Sequence, residues 1–317
     1  MTKRIAILLA TYNGEKYLSE LLESIEHQSY SDFVCYIHDD GSTDGTGRII
    51  DAYCQHVSDK ASRFISLAGP PTGSAKANFM HMLSQVEADY YMFADQDDVW
   101  LPDKIEKSLR CLKENDAWCV CTDLCVTDEN LNTIAPNMMT WIGRDLSRIH
   151  PHQLMIDNVA AGCTMLFTKE LRDIAIQLQH VDKILMHDQW VAVIAAMYGK
   201  LAVLKESTIL YRQHGDNEMG AVHESIGDKG IRLIKELFTG TMYQEKKAFI
   251  QEARDLAGEL LLLKGLPGRE LPDEERQFLK NFTPIDTKSK FQRIAFYRTN
   301  KLDRKSRLST LWMWLWV

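Results

Sequence analysis

Residues 5–9 form a short continuous apolar run, Leu18, Leu21, Leu22 and Ile25 then recur at helical spacing, and residues 33–38 return to a strand pattern. That is the beginning of a βαβ unit. The turn-rich stretch DDGSTDGT leads to a helix over 47–56 with Ile49, Ile50 and Tyr53 facing inward. A strand at 64–67, the loop GPPTGSAK and a further helix follow, ending in a strand at 90–94. Such alternation predicts an α/β fold, a mostly parallel sheet with helices on both faces and ligands at the carboxyl ends of the strands.

Beyond Pro102 the pattern predicts a helix over 103–115, strands at 118–122 and 162–168, a helix over 187–198 and a strand at 202–206. From Ser225 it is only helical. With no internal repeat and no low-complexity linker, the C-terminal part reads as a helical appendage. The boundaries expected are 1–224 for the α/β domain, divided near 102, and 225–317 for the appendage.

At 317 residues and 45% hydrophobic the chain can bury one large core. No window is apolar enough to span a membrane, and the N-terminal run is followed by turn chemistry instead of a cleavage site, so a cytoplasmic protein is expected. Seven cysteines without a CxxC pair argue against a disulfide framework or a zinc site. The net charge of −7 conceals a contrast: from Asp286 onward the chain is +6, which leaves −13 on the rest. Nothing marks a nucleic-acid-binding protein.

Candidate chemistry gathers where strands end. Thr11 and Asn13 follow the first strand, Asp39 and Asp40 the second, and Asp95, Asp97 and Asp98 the strand at 90–94. Like charges this close raise one another's pKa unless a cation or strong donors sit among them. Neither GxGxxG after the first strand nor GxxxxGK[ST] is present, which excludes the common dinucleotide and P-loop fingerprints. A nucleoside diphosphate can still approach three aspartates through a hard divalent cation, Mg²⁺ or Mn²⁺, held by two of them. The plainer reading makes these aspartates caps and turn formers. Part of DDGSTDG imitates a calcium loop, but a strand enters it and Asp51 stands at its twelfth position, so calcium is not expected. Asp40 is instead placed to accept a hydrogen bond from a nucleobase.

Seven ordered segments, ATYNGEKYL, HDDGSTDGT, GSAKANF, ADQDDVWLPDK, AAGCTMLF, MHDQW and YRQHGDN, together resemble the motifs of inverting family 2 glycosyltransferases with the Rossmann-like GT-A fold. DQDDVW, HDQW and YRQH are most similar to the bacterial rhamnosyltransferase-like branch. The resemblance covers residues 1 to about 220. It implies that Ala10, Tyr12, Asn13 and Asp40 lie on the nucleotide, with Lys76, Asn78, Asp95 and Arg212 near the ribose or phosphates. It implies a metal set of Asp95, Asp97 and His214, and Asp188 as the catalytic base. Gly162 and Trp190 are the expected acceptor-side residues. A single base suffices for inversion when a metal stabilises the departing diphosphate, unlike the paired carboxylates of a glycosidase. Against this stands the reading of Asp188 as a helix N-terminal charge.

The expected donor is dTDP-rhamnose and the expected acceptor a saccharide, polyprenyl-linked by the family resemblance. A UDP-hexose or UDP-N-acetylhexosamine donor is the alternative, and a non-catalytic nucleotide-sugar-binding scaffold is a different class. The closing segment RKSRLSTLWMWLWV sets basic residues before tryptophans. It suits peripheral contact with the inner face of an anionic membrane, or equally a docked helix or homodimer interface.

Overall fold

The computed structural model describes residues 4–55, 63–214, 241–302 and 310, with only the backbone considered for 241–247. The basic and tryptophan-rich end expected to meet a membrane, Arg304, Lys305, Arg307, Trp312, Trp314 and Trp316, lies outside the described residues.

The first half runs β1 (Ile5–Thr11), α1 (Leu18–Glu26), β2 (Phe33–Asp39), α2 (Thr46–Gln55), β3 (Phe64–Ser66), α3 (Ala75–Gln85), β4 (Tyr90–Asp95) and β5 (Val99–Trp100). It continues with α4 (Lys104–Glu114), β6 (Cys119–Thr127), β7 (Thr133–Ala135), α5 (Met138–Trp141), α6 (Pro151–Leu154), β8 (Met165–Thr168) and α7 (Lys169–Ala175). Then come α8 (His187–Met197), β9 (Leu201–Arg212), α9 (Thr241–Leu262), α10 (Asp273–Phe282) and α11 (Lys290–Thr299).

One sheet carries the strand order β3-β2-β1-β4-β8-β6-β9-β5, with β7 beside β6. The fold is α/β, as expected. The ladders among β3, β2, β1 and β4 are parallel, as is β6 with β9, whereas β8 runs antiparallel to both β4 and β6. β1, between β2 and β4, is apolar from Ile5 to Ala10 because both its faces are covered: Ala6 and Leu8 enter one core, Ile5, Ile7 and Leu9 the other. α1 buries the stripe Leu18, Leu21, Leu22 and Ile25 that its spacing announces.

α8 differs in kind. Nearly all its side chains are buried, which explains why it is apolar all round instead of amphipathic. Leu256, Leu260, Phe278 and Phe282 of α9 and α10 join the same core as Val191 and Ile194 of α8. The C-terminal helices therefore close over the domain's own helix.

Candidate active site

The parallel ladders bring the strand ends to one rim. Ala10 is in register with His38 on one side and Asp95 on the other, and Thr11 with Asp39. Asp39 accepts hydrogen bonds from the Thr11 hydroxyl (2.9 Å) and from the Ser42 N–H (2.8 Å) and hydroxyl (2.5 Å). It is a brace. Asn13, in the left-handed region at φ 47° that asparagine tolerates, accepts from the Thr43 N–H at 2.8 Å and donates its own N–H to Ser42. Glu15 accepts from the Gly45 N–H at 2.8 Å. These bonds stitch the turn DDGSTDGT to the loop after β1.

Tyr12 projects from this rim, 58% exposed. Its backbone is held at both polar atoms by Gln96, whose Oε1 accepts from the Tyr12 N–H and whose Nε2 donates to the Tyr12 carbonyl, each at 2.8 Å. Sequence reading missed Gln96 because the aspartates around it attract the attention. The Asp40 carboxylate accepts from the Thr72 N–H and hydroxyl on one oxygen and from the Gly73 N–H (3.0 Å) on the other. Lys76 donates to the Ile184 carbonyl at 2.6 Å, tying the end of α3 to the segment that enters α8.

The acidic loop after β4 divides into two groups. The His214 Nε2–H donates to Asp97 Oδ2 at 2.8 Å. Asp95 instead lies with Asp98 and Cys163, one potential ligand atom from each within 4.8 Å of the others; among the described residues it is the one such group. Asp95, Asp97 and His214 are thus not assembled as one ligand set. Asp98 is 0% exposed and neither oxygen has an N–H or O–H donor among the described residues. Burial, and then Asp97 and Asp95, push its pKa well above the usual carboxylate range. Lys104, also buried, is pushed down to about 8, chiefly by burial. The loop thus holds a buried carboxyl without an N–H or O–H donor among the described residues, and its oxygen and imidazole groups are ligand types that fit a hard divalent cation.

Asp188 sits in the first turn of α8. It accepts from the N–H of Gln189 (2.5 Å) and of Gly162 (3.1 Å), and Asn158 Nδ2 lies 3.4 Å from its Oδ1. Burial raises its pKa to about 6, against the lowering by those backbone N–H groups. At neutral pH it is ionised and close enough to its pKa to take a proton. Asn158, which the sequence reading missed, is fixed by Arg144, which donates to the Asn158 carbonyl at 2.8 Å and pairs with Asp157 at 2.9 Å. Behind Asp188, His187 stacks on Phe79 with ring centres 4.1 Å apart. Burial pushes its imidazole down to about 3, so it is neutral.

Four expected contacts with substrate are corrected. Trp190 is 0% exposed, its indole N–H bonded to the Ala175 carbonyl at 2.9 Å, so it is a core side chain and not an acceptor wall. Gly162 is buried too; a Cβ there would lie 2.9 Å from His187 Nε2, and its service is the N–H held against Asp188. Asn78 is buried in a reciprocal pair with His38, donating to the His38 carbonyl and accepting from its ring. Arg212, also buried, has its fork occupied by the carbonyls of Asp97 (3.1 Å) and Glu129 (2.5 Å) and by Glu20 (2.6 Å). It supports the acidic loop from below and cannot reach a ligand. Trp190→Ala is accordingly expected to cost about 3–5 kcal/mol of stability; an unchanged denaturant midpoint would contradict the core assignment.

The model for "Glycosyl transferase family 2" matches residues 6–173, more than half of the chain. The dTDP-rhamnosyl transferase RfbG of Shigella flexneri is 29% identical over 224 residues, covering 67% of this chain and 74% of that protein. Among solved structures, Staphylococcus aureus TarS 1-349 in complex with UDP-GlcNAc superposes with a TM-score of 0.56 at 17% identity, covering 98% of this chain and 78% of that one. The mannosyltransferase PcManGT of Pyrobaculum calidifontis, in complex with GDP-Man and Mn²⁺, gives 0.51 at 16% identity, covering 95% and 74%. Both likenesses concern the fold.

Proposed function

The chain belongs to glycosyl transferase family 2, and from that premise we propose that it moves one sugar, with inversion, from a nucleotide-sugar donor to a saccharide acceptor in cell-wall or capsular polysaccharide synthesis. The observation that carries the reading is Asp188: a carboxylate in the first turn of α8 whose two oxygens accept the backbone N–H groups of Gln189 and Gly162, with burial pushing its pKa up to about 6.

Residues 1–102 serve the donor and 103–224 the acceptor, with 225–317 appended. Tyr12 offers an exposed ring to a nucleobase, Asp40 accepts from the base, Asn13 and Ala10 shape the loop beneath it, and Lys76 and Asp95 stand nearer the ribose and phosphates. Asp97 and His214 would hold Mg²⁺ or Mn²⁺, and Asp95, which groups instead with Asp98 and Cys163, would face the phosphates. Such an ion, when bound, neutralises the charge of the leaving diphosphate. The anomeric carbon's bond to the diphosphate oxygen breaks with its electron pair leaving on that oxygen. A bond from the acceptor oxygen forms on the opposite face, and the acceptor proton passes to Asp188. Its Oδ2 already accepts one N–H and keeps a lone pair for that proton.

L-Rhamnose from dTDP-rhamnose is the proposed donor, supported by the similarity to RfbG. TarS, of the same fold, was solved with UDP-GlcNAc, which keeps a UDP-sugar as the second reading. The acceptor proposed is a lipid-linked saccharide. Nucleoside diphosphate release from a panel of dTDP- and UDP-sugars, with a saccharide acceptor, tests the donor. Release from a UDP-sugar alone would overturn the rhamnosyl reading.

Two further outcomes follow from Asp188. Because the base must be ionised, kcat/KM is expected to rise with pH through about 6 and level off above it, falling about tenfold per unit on the acid side; a flat profile from pH 5 to 8 would contradict it. Removing the Asn158 amide takes a donor from the charged form, so Asn158→Ala is expected to move that limb upward by about half a unit. The variant would lose about twofold at pH 6, about threefold at pH 5, and recover most of its rate at pH 8. An equal loss at all these pH values would make Asn158 merely structural.

A further inference from the structure

α11 leaves one face of unusual chemistry in solvent. Phe291 is 85% exposed, the most exposed large apolar side chain among the described residues. Ala295 and Arg298, one and two turns on, share its exposure, and Lys288 stands three residues before it. Residues 286–302 carry Lys288, Lys290, Arg293, Arg298 and Lys301 against one acid, Asp286. That acid is already paired with Arg254 of α9 at 2.9 Å. Lys290, Arg298 and Lys301 have no carboxylate partner among the described residues. The other side of the helix is fastened down: Tyr297 is buried, and Phe296 stacks near Phe278 and Phe282.

We infer that this face of α11 docks on an anionic bilayer surface, Phe291 entering the headgroup boundary and the surrounding Lys and Arg meeting lipid phosphates. A protruding aromatic among cations is too small an apolar area for a stable protein interface. An isologous dimer would also set the same positive face against itself. It is the arrangement that an interfacial helix presents to acidic lipid. Residues 1–285, at −13, would be repelled by such a surface and held outward.

The position of this face relative to the base gives the contact its use. The Asn300 carbonyl just after α11 accepts from the ring of His152 in α6, which also bonds Glu275 of α10 at 2.9 Å and stacks on Phe278 at 3.5 Å. The carbonyls of Leu154 and Met155, at the end of α6, accept from Gln189, the neighbour of Asp188. α11 is therefore linked, through α6, to the start of α8 that carries Asp188. Docking there would bring a lipid-linked acceptor to Asp188, and that purpose rests on the acceptor proposed above, although the docking itself does not.

Co-sedimentation of the full chain with vesicles of phosphatidylcholine alone, or mixed with phosphatidylglycerol, tests the inference. Binding to the anionic vesicles only is expected, reversed by salt and weakened about tenfold by Phe291→Ser and again by Lys290→Glu with Arg298→Glu. These exposed positions should leave the unfolding midpoint and transfer to a detached soluble acceptor unchanged. Absence of vesicle binding would overturn the inference, and so would equal binding by the variants, which would assign the contact elsewhere. So would a dimer seen by light scattering that the same variants dissociate. Failure of transfer to the soluble acceptor by wild type would count against the enzymatic reading alone.

Discussion

Asp188→Asn is expected to keep nucleotide-sugar affinity within about twofold and to lower transfer about a thousandfold or more, within the range a general base supplies. The amide can still accept the Gly162 N–H through its oxygen, but it has no basic oxygen for the acceptor proton. Nothing on the nucleotide side compensates. Asp39 is consumed by Thr11 and Ser42, and Asp97 is bonded to His214. His187, beside Asp188, is buried and held neutral near a pKa of 3, which makes it too weak a base to substitute. The measurement is kcat alongside donor binding; transfer at the wild-type rate would remove Asp188 from the chemistry.

Asp97→Ala is expected to be nearly as damaging, about a hundredfold in transfer, and to abolish the dependence of nucleoside diphosphate affinity on Mn²⁺. In the same loop Asp98 is buried and lacks an N–H or O–H partner among the described residues. Removing Asp97 takes away the carboxylate bonded to the His214 imidazole. Chelation of divalent metal should reduce the wild type to the level of the variant, whereas the variant should be indifferent to chelator. A variant that keeps the wild-type Mn²⁺ dependence would sink the assignment of Asp97 as a ligand.

The rim of strand ends was legible in the sequence because hydrophobic period and turn chemistry agree there. β1, β2 and β4 end in Thr11, Asp39 and Asp95, and parallel pairing brings those ends together. The sequence could not separate a polar residue that faces a ligand from one that supports the residue that does. Arg212 and Asn78 have the right types at the right motifs, yet each is buried and spends its donors on backbone or a neighbouring side chain. Trp190 was misjudged for a related reason. α8 is apolar on every face, so the spacing from Asp188 does not indicate which side meets the cleft. Asn158 lay in the irregular stretch between α6 and β8, where no period points to anything. The antiparallel insertion of β8 between β4 and β6 also escaped, since an apolar strand reads alike in either direction.

The most direct test of a single-base, inverting transferase is the anomeric configuration of the first product, followed by proton NMR from donor and acceptor with Mn²⁺ present. Asp188 acting alone on the acceptor hydroxyl predicts a linkage of configuration opposite to that of the donor. A product that retains the donor's configuration would contradict the assignment of Asp188 and the mechanism built on it.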